Sequence, residues 1–207
     1  PVLSNLAGGA NARPFITHHN ALDITLYCRI ALELPLKRLI VGGFDKVYEM
    51  SRVFRNEGMD ATHNPEFTLL ESYEAYANYD DLMKMIEELY SFLAKEVNKS
   101  ETVIYGDKEI SLAAPFKRAR MVDLVKEHTN VDFDVMTDVE VARAAAKELH
   151  VDVDGKNSVG EIMAEVFDEF VEDKLIQPTF VTMHPVEISP LAKKDPKDPR
   201  YTERFEL

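Results

Sequence analysis

Residues 51–76, SRVFRNEGMDATHNPEFTLLESYEAY, constrain the fold more than any other part of the chain. Apolar and polar residues alternate on both sides of a short polar loop that carries Gly58 and Asn64-Pro65. Alternation with a period of two marks half-buried strands, and Gly, Asn and Pro mark the turn between them, so the pattern predicts a β-hairpin with its charge on one face. The same alternation puts Arg55 and Glu57 on a common face, and likewise Phe67, Leu69, Glu71 and Tyr73 on the returning strand. One antiparallel ribbon then offers a guanidinium, an aromatic plate and carboxylates to one ligand. A phosphate and an amine fit side by side on such a surface.

The hairpin strands are expected over residues 44–57 and 65–75. Residues 1–14 read as irregular, with a turn at Gly8-Gly9. Residues 20–34 read as a helix with Asn20 as N-cap and Asp23 at its third helical position. Pro35 opens a second helix through Val41, which Gly42-Gly43 stops. Residues 80–97 give the clearest helix, with Leu82, Met85, Ile86, Leu89, Phe92, Leu93 and Val97 at helical spacing on the inward face. Residues 102–105 and 109–112 form a small hairpin through Gly106-Asp107-Lys108. Short helices follow over 121–128 and 139–149, and a longer one over 158–171 with Val159, Ile162, Met163, Val166, Phe167 and Phe170 inward. Residues 178–184 read as a strand, 193–200 as a charged loop, and the closing RFEL as the start of another strand. The sum is an α+β fold, an antiparallel sheet flanked by helices. A mostly helical stretch, 117–161, reads as an insertion between sheet-forming parts.

Composition narrows the class. Of 207 residues, 45% are hydrophobic and 29% charged, as in ordinary globular proteins. No apolar run approaches the ~20 residues of a membrane span, and no basic-then-apolar leader opens the chain. The single cysteine, Cys28, excludes an internal disulfide and a multi-cysteine zinc site and fits a reducing cytoplasm. The net charge of −13 disfavours non-specific binding to a polyphosphate backbone. The acid concentrates in 80–96 and 161–173, which read as solvated helix faces. A Walker-type glycine loop is absent, so this is not a P-loop enzyme. The adjacent pair His18-His19 diverges on either a strand or a helix, so it reads as a helix start rather than a metal site, and no residue is assigned to a metal.

Taken together, FRNEGMDATHNPEFTLLESYEAY resembles the second signature motif of class II aminoacyl-tRNA synthetases in its lysyl form. GGANARPFITHHNALDITLYCRIALELPLKRLIVGGF upstream resembles the amino-acid-binding region of the same enzymes, and PTFVTMHPVEISPLAK downstream resembles a further lysyl-type segment. The aspartyl-type pattern, Arg-Gln-Pro-Glu-Phe-Thr-Gln-Leu-Asp, differs from HNPEFTLLE here. A paralogue that lysylates an elongation factor is expected to diverge at VEISPLAK. The resemblance covers the whole chain and implies a class II catalytic core spanning 1–207. It further implies that the anticodon-reading domain, the third motif and the acidic Mg2+ ligands lie outside these residues, so that 1–207 alone are inactive or act only as a binding or dimerisation piece.

The implied reaction joins lysine to ATP as lysyl-adenylate and then passes the acyl group to tRNA(Lys), in a cytoplasmic homodimer. Such a step needs positioning and positive charge more than a protein nucleophile. By resemblance, Arg55 is the catalytic residue, contacting the α-phosphate and the amino-acid carboxylate together. Phe67 stacks on adenine, His63 reaches the outer phosphates, and Glu57 and Asn64 contact adenine or brace the loop. Gly9, Glu33, Arg55, Glu71 and Tyr73 form the lysine-binding set: Glu33, Glu71 and the Gly9 carbonyl hold the α-ammonium, and Tyr73 faces the side-chain ammonium. Each also has a plainer reading. Arg55 pairs with Glu57 on a sheet surface, Phe67 is a core aromatic, His63 is a solvated loop residue, Asn64 forms a turn, and Glu33 is a helix-end carboxylate. Glu71 resists a plain reading because it interrupts an apolar strand. Lys193-Lys194 touches tRNA phosphate or is merely solvated.

Overall fold

A computed structural model describes residues 1–207, which divide into two compact units, 1–77 and 78–207. In the first, β1 (Leu3–Ser4), β2 (Ile16–His19) and β3 (Ile24–Cys28) form an antiparallel sheet in the order β1-β3-β2. This corrects the helix expected over 20–34. Ile16, Thr17, Ile24, Thr25 and Tyr27 favour extended backbone. Asn20 and Asp23 serve a four-residue turn instead of a cap: His19 pairs with Ile24, and Asp23 takes a left-handed φ of 51°. His18 and His19 therefore lie on a strand, not at a helix start.

Helix α1 runs Glu33–Val41, two residues ahead of the proline expected to open it. Pro35 sits in its first turn, where a backbone N–H has no intrahelical acceptor to lose. Gly42 and Gly43 end it, with Gly43 at φ 99°. Strands β4 (Lys46–Phe54) and β5 (Glu66–Glu74) then pair antiparallel, with Val53 opposite Phe67 and Glu49 opposite Glu71. The outer face, Tyr48, Met50, Thr68 and Leu70 among it, is exposed. The inner face receives α1: Leu32, Leu36 and Val53 are buried together, with Val47, Phe67, Leu69 and Tyr73 packed around them. Each fully buried Leu contributes ~2 kcal/mol, enough to fix α1 on the ribbon.

In the second unit, α2 (Tyr79–Leu93) starts at an Asn78–Asp81 capping box and continues as a wider π turn over Ala94–Asn98. Its buried residues are Met83, Glu87 and Ser91, whereas Met85, Leu89, Phe92, Leu93 and Val97, expected inward, are exposed. The inward stripe is the one whose polar member finds partners. Glu87 accepts the Phe116 N–H at 3.0 Å and Arg118 Nη2 at 3.1 Å. Burial pushes the Glu87 pKa up, but these donors outweigh it and hold the carboxyl below its ordinary value. Strands β6 (Thr102–Tyr105) and β7 (Lys108–Ser111) form the small hairpin, one residue earlier in the second strand than expected.

Next come β8 (Lys117–Arg120), α3 (Met121–Thr129), α4 (Val139–Glu148), α5 (Val159–Phe170), β9 (Thr179–Thr182) and β10 (Phe205–Glu206). Their sheet is ordered β10-β9-β8, with β10 antiparallel and β8 parallel to β9. Every other strand pair is antiparallel, as expected, and β8–β9 is the one parallel pair. Parallel neighbours require a long crossover, and the helices between β8 and β9 supply it. Residues 117–161 accordingly open with a strand of the sheet before turning helical. Strand β9 is buried throughout, as a strand between two partners with both faces covered must be. Val122, Val125, Ala142, Ile162 and Val166 centre the helical core, and Phe180 meets Phe116 at a tilt and Phe205 edge-to-face in a second cluster.

His184 follows β9 and is 1% exposed, with Nε2 3.1 Å from the Val181 carbonyl. Burial, then the nearby Arg204, pushes its pKa down to about 4 from an ordinary 6.5. Between these values the unfolded chain binds a proton that the folded chain refuses, so stability falls as pH drops through this window. The loss should reach about 3 kcal/mol at pH 4. Urea unfolding of the unchanged chain and His184→Gln across pH 4 to 6.5 checks it. The variant's curve should be the flatter by that amount, and parallel curves would contradict the assignment.

Candidate functional site

The residues assigned to catalysis, ATP or lysine all lie in the first unit, in two groups along one face of β5, whereas Lys193-Lys194 lie in the second, with Lys193 Nζ 2.9 Å from Glu203 Oε2. The first group surrounds the loop between β4 and β5. Strand β4 ends at Phe54, so Arg55 and Glu57 are not on a strand, and their shared direction does not come from alternation. Turn bonds place them instead. The Arg55 N–H donates to the Pro65 carbonyl at 2.8 Å, the Asn56 N–H to the Arg13 carbonyl at 2.7 Å, and the Glu57 N–H to the Arg55 carbonyl at 3.0 Å. Glu57 Oε1 accepts the Arg13 N–H at 3.1 Å, which ties the loop to the segment ahead of β2.

The plainer reading of Arg55, an ion pair with Glu57, is not what forms. The Arg55 guanidinium lies over the Phe67 ring, 5.2 Å from its centroid, a cation–π contact that leaves its positive charge available. Arg55, Glu57, His63, Asn64 and Phe67 line one cavity of about 540 Å³, together with Gly58, Met59, Asp60 and Thr62.

Asp60 shapes that cavity and was missed in the sequence. Its Oδ1 accepts the Thr62 N–H at 2.8 Å and the His63 N–H at 2.7 Å, and its Oδ2 lies 2.9 Å from His63 Nδ1. These donors, the Thr62 N–H first, hold the Asp60 carboxyl far below the usual carboxylate range. The available signal was an Asp two residues ahead of a Thr in a polar loop, the pattern of an Asx turn.

The second group lies at the start of α1 and further along β5. Glu71 Oε1 accepts the Leu32 N–H at 3.0 Å, and Glu71 Oε2 accepts the Tyr73 hydroxyl at 3.0 Å. Burial, then the Glu71 and Glu33 charges, raises the Tyr73 pKa, so it remains a phenol. Glu33 Oε1 lies 2.5 Å from Lys37 Nζ. Gly9, at φ 90°, packs its backbone against Glu33: a Cβ there would come within 3.1 Å of Glu33 Cβ and 3.2 Å of Ala31 Cβ. That close approach and left-handed φ explain why glycine stands at this position.

A third carboxylate shares this face. Glu49 stands directly opposite Glu71, where like charges destabilise a strand pair. Arg29, also unmarked in the sequence, offsets it. Arg29 Nη1 is 2.8 Å from Glu49 Oε1, Arg29 Nε donates to the Arg52 carbonyl at 2.8 Å, and Nη2 contacts Ser51 Oγ. Phe67 and Glu71 are four residues apart on one strand, ~13 Å, so the site has an arginine-and-aromatic end and a carboxylate end.

The family model for class II tRNA synthetases (D, K and N) matches residues 1–207, and the chain belongs to that family. Within it, the chain is 58% identical over 207 residues to the lysine–tRNA ligases of Bacillus thuringiensis (strain Al Hakam), Bacillus anthracis and Bacillus subtilis (strain 168). Each match takes in 100% of this chain and 42% of the relative, so the chain spans less than half the length of the curated relatives it matches.

Asp60→Ala should speed hydrogen exchange at the Thr62 and His63 amides while leaving the β5 amides near Glu71 protected. Unchanged protection at both loop amides would mean that Asp60 does not order the cavity wall.

Proposed function

We propose that the chain is the amino-acid-activating part of a lysine–tRNA ligase. The observation that carries this reading is the polarity of one strand face. An arginine free of any carboxylate partner lies over an aromatic ring at one end, and a carboxylate bound only by neutral donors lies ~13 Å along the strand. The first end suits a nucleotide, the second an amine.

Lysine and ATP are the substrates of the first step. A lysine carboxylate oxygen attacks the α-phosphorus, the new O–P bond forms, the bond to the β-phosphate oxygen breaks, and pyrophosphate leaves. Arg55 holds the two reacting anions together and offsets the charge that builds between them. Phe67 takes the adenine face, His63 meets the outer phosphates, and Glu57 and Asn64 hold the adenine edge and the loop. Gly9, Glu33 and Glu71 receive the α-ammonium, and the Tyr73 hydroxyl faces the side-chain ammonium. In the second step a tRNA(Lys) hydroxyl attacks the acyl carbon and AMP leaves. The longer relatives' names support this assignment. A cytoplasmic homodimer belongs to the same reading, and no helix is long and apolar enough to cross a membrane. The Mg2+ that accompanies ATP would take its acidic ligands from outside these residues, among which no group of three or more His, Cys, Asp or Glu side chains gathers.

Calorimetry with ATP and with lysine tests the proposal. Both ligands should bind the folded chain. Arg55→Ala should weaken ATP, and Glu71→Ala lysine, by about tenfold or more, the scale of a charge-assisted hydrogen bond. A folded chain that binds neither ligand would falsify it.

A further inference from the structure

The carboxylate end of the site already contains an ammonium. Lys37 Nζ lies 2.5 Å from Glu33 Oε1 and over the Tyr73 ring, 5.8 Å from its centroid. A Glu four residues ahead of a Lys is a favourable surface pair on any helix, and that alone would leave Lys37 along α1. Its place over Tyr73 carries it off the helix and onto the β5 face, where the Tyr73 hydroxyl meets Glu71. Gly9 closes on the Glu33 Cβ and leaves no room for a side chain there. The one charged partner of the Glu33 carboxylate is therefore a primary ammonium from its own helix.

We infer that Lys37 is an intramolecular competitor for the ligand's amine: its ammonium holds the Glu33 carboxylate that a ligand ammonium must take over. This rests on the lysine reading above. Both ammoniums carry one charge and three donors, so the exchange leaves Glu33 paired throughout and never strands a carboxylate. The Lys37 side chain is 55% exposed, and its flexible stem lets the ammonium move into water at little loss. A ligand without an ammonium has nothing to offer Glu33 in exchange. Lys37 therefore makes Glu33 selective for amines, at the expense of affinity. Glu71 contributes differently. Its oxygens take the Leu32 N–H and the Tyr73 hydroxyl, both neutral, so its charge stays unspent and attracts the incoming cation.

The test is calorimetric titration of L-lysine into the unchanged chain, Lys37→Met, Lys37→Arg, Glu33→Gln and the Glu33→Gln/Lys37→Met double variant. Lys37→Met should bind lysine about two- to fivefold more tightly, the scale of an exposed ion pair. Lys37→Arg should stay within about twofold of the unchanged chain, because the charge remains. The gain should vanish when Glu33 is Gln, since the two changes then no longer couple. Loss of a merely structural pair does not tighten a ligand, so the sign separates the two roles.

Lysine bound by the unchanged chain but no more tightly by Lys37→Met overturns the competitor role alone. A gain that persists without Glu33 overturns it too. No lysine binding to the unchanged chain or to Lys37→Met overturns both this inference and the lysine reading. Nuclear magnetic resonance gives a second measure that needs no Lys37 variant. On adding lysine, the Lys37 ε-methylene signal should move toward its position in Glu33→Gln, and a signal that stays in place counts against displacement.

Discussion

The Glu71 carboxylate, accepting the Leu32 N–H just ahead of α1, is the bond on which the first unit's site depends. It joins the inner face of the β4–β5 ribbon to the start of a helix, at a backbone donor that no helical carbonyl reaches. Because Leu32 and Leu36 bury against Val53 on that face, the bond and the packing fix the same register. Glu33 then follows at the first helical position, and Gly9 closes against it. A strand residue, a helix start and a glycine turn are thus brought together by one carboxylate that would be a poor choice for packing alone.

That carboxylate brings a charge problem, and its solution gives the site its polarity. Glu49, Glu71 and Glu33 crowd one end of the ribbon. Arg29 spends its charge on Glu49 and Lys37 spends its charge on Glu33, while Glu71 is satisfied by neutral donors and keeps its charge. At the other end Arg55 leans on an aromatic ring and keeps its charge as well. Two unspent charges of opposite sign on one strand face form a dipole, and the proposed ligand pair, an ammonium and phosphates, would lie along it. A free amine alone or a phosphate alone would engage only half of it.

The second unit solves a different problem by the same means. Joining β8 to β9 in parallel commits fifty-eight intervening residues, 121–178, to a crossover, and polar groups at the joints find partners. Asp134 receives Arg120, Arg200 and the Tyr201 hydroxyl, which clamps the turn between α3 and α4 to the segment ahead of β10. Glu87 and Arg118 do the same between α2 and β8. Of these groups only Glu87 is buried, so loss of Arg118 would strand a carboxylate there, whereas the Asp134 cluster is partly solvated and its loss is milder.

What the sequence made legible follows from how local each signal is. The hairpin, the α5 stripe and the Gly42-Gly43 stop are each written within a few residues, and each stands where expected. The helix read over 20–34 failed because a capping signal and a turn signal use the same residues, Asn and Asp, and only pairing with β3 decides between them. The α2 stripe failed for a reason of range. Helical spacing identifies an apolar face, but Glu87 turned a neighbouring face inward because Phe116 and Arg118, about thirty residues away, offered it donors. The candidate site shows the same division. Arg55, Phe67 and Glu71 stood out by type and position, whereas Arg29, Lys37 and Asp60 take their meaning from a partner's location: Glu49 across twenty residues, Tyr73 across a helix–strand contact, and the amides of one loop. Residues that meet a ligand are chosen for what they carry. Residues that hold those in place are chosen for where their partners end up, which is a property of the folded chain.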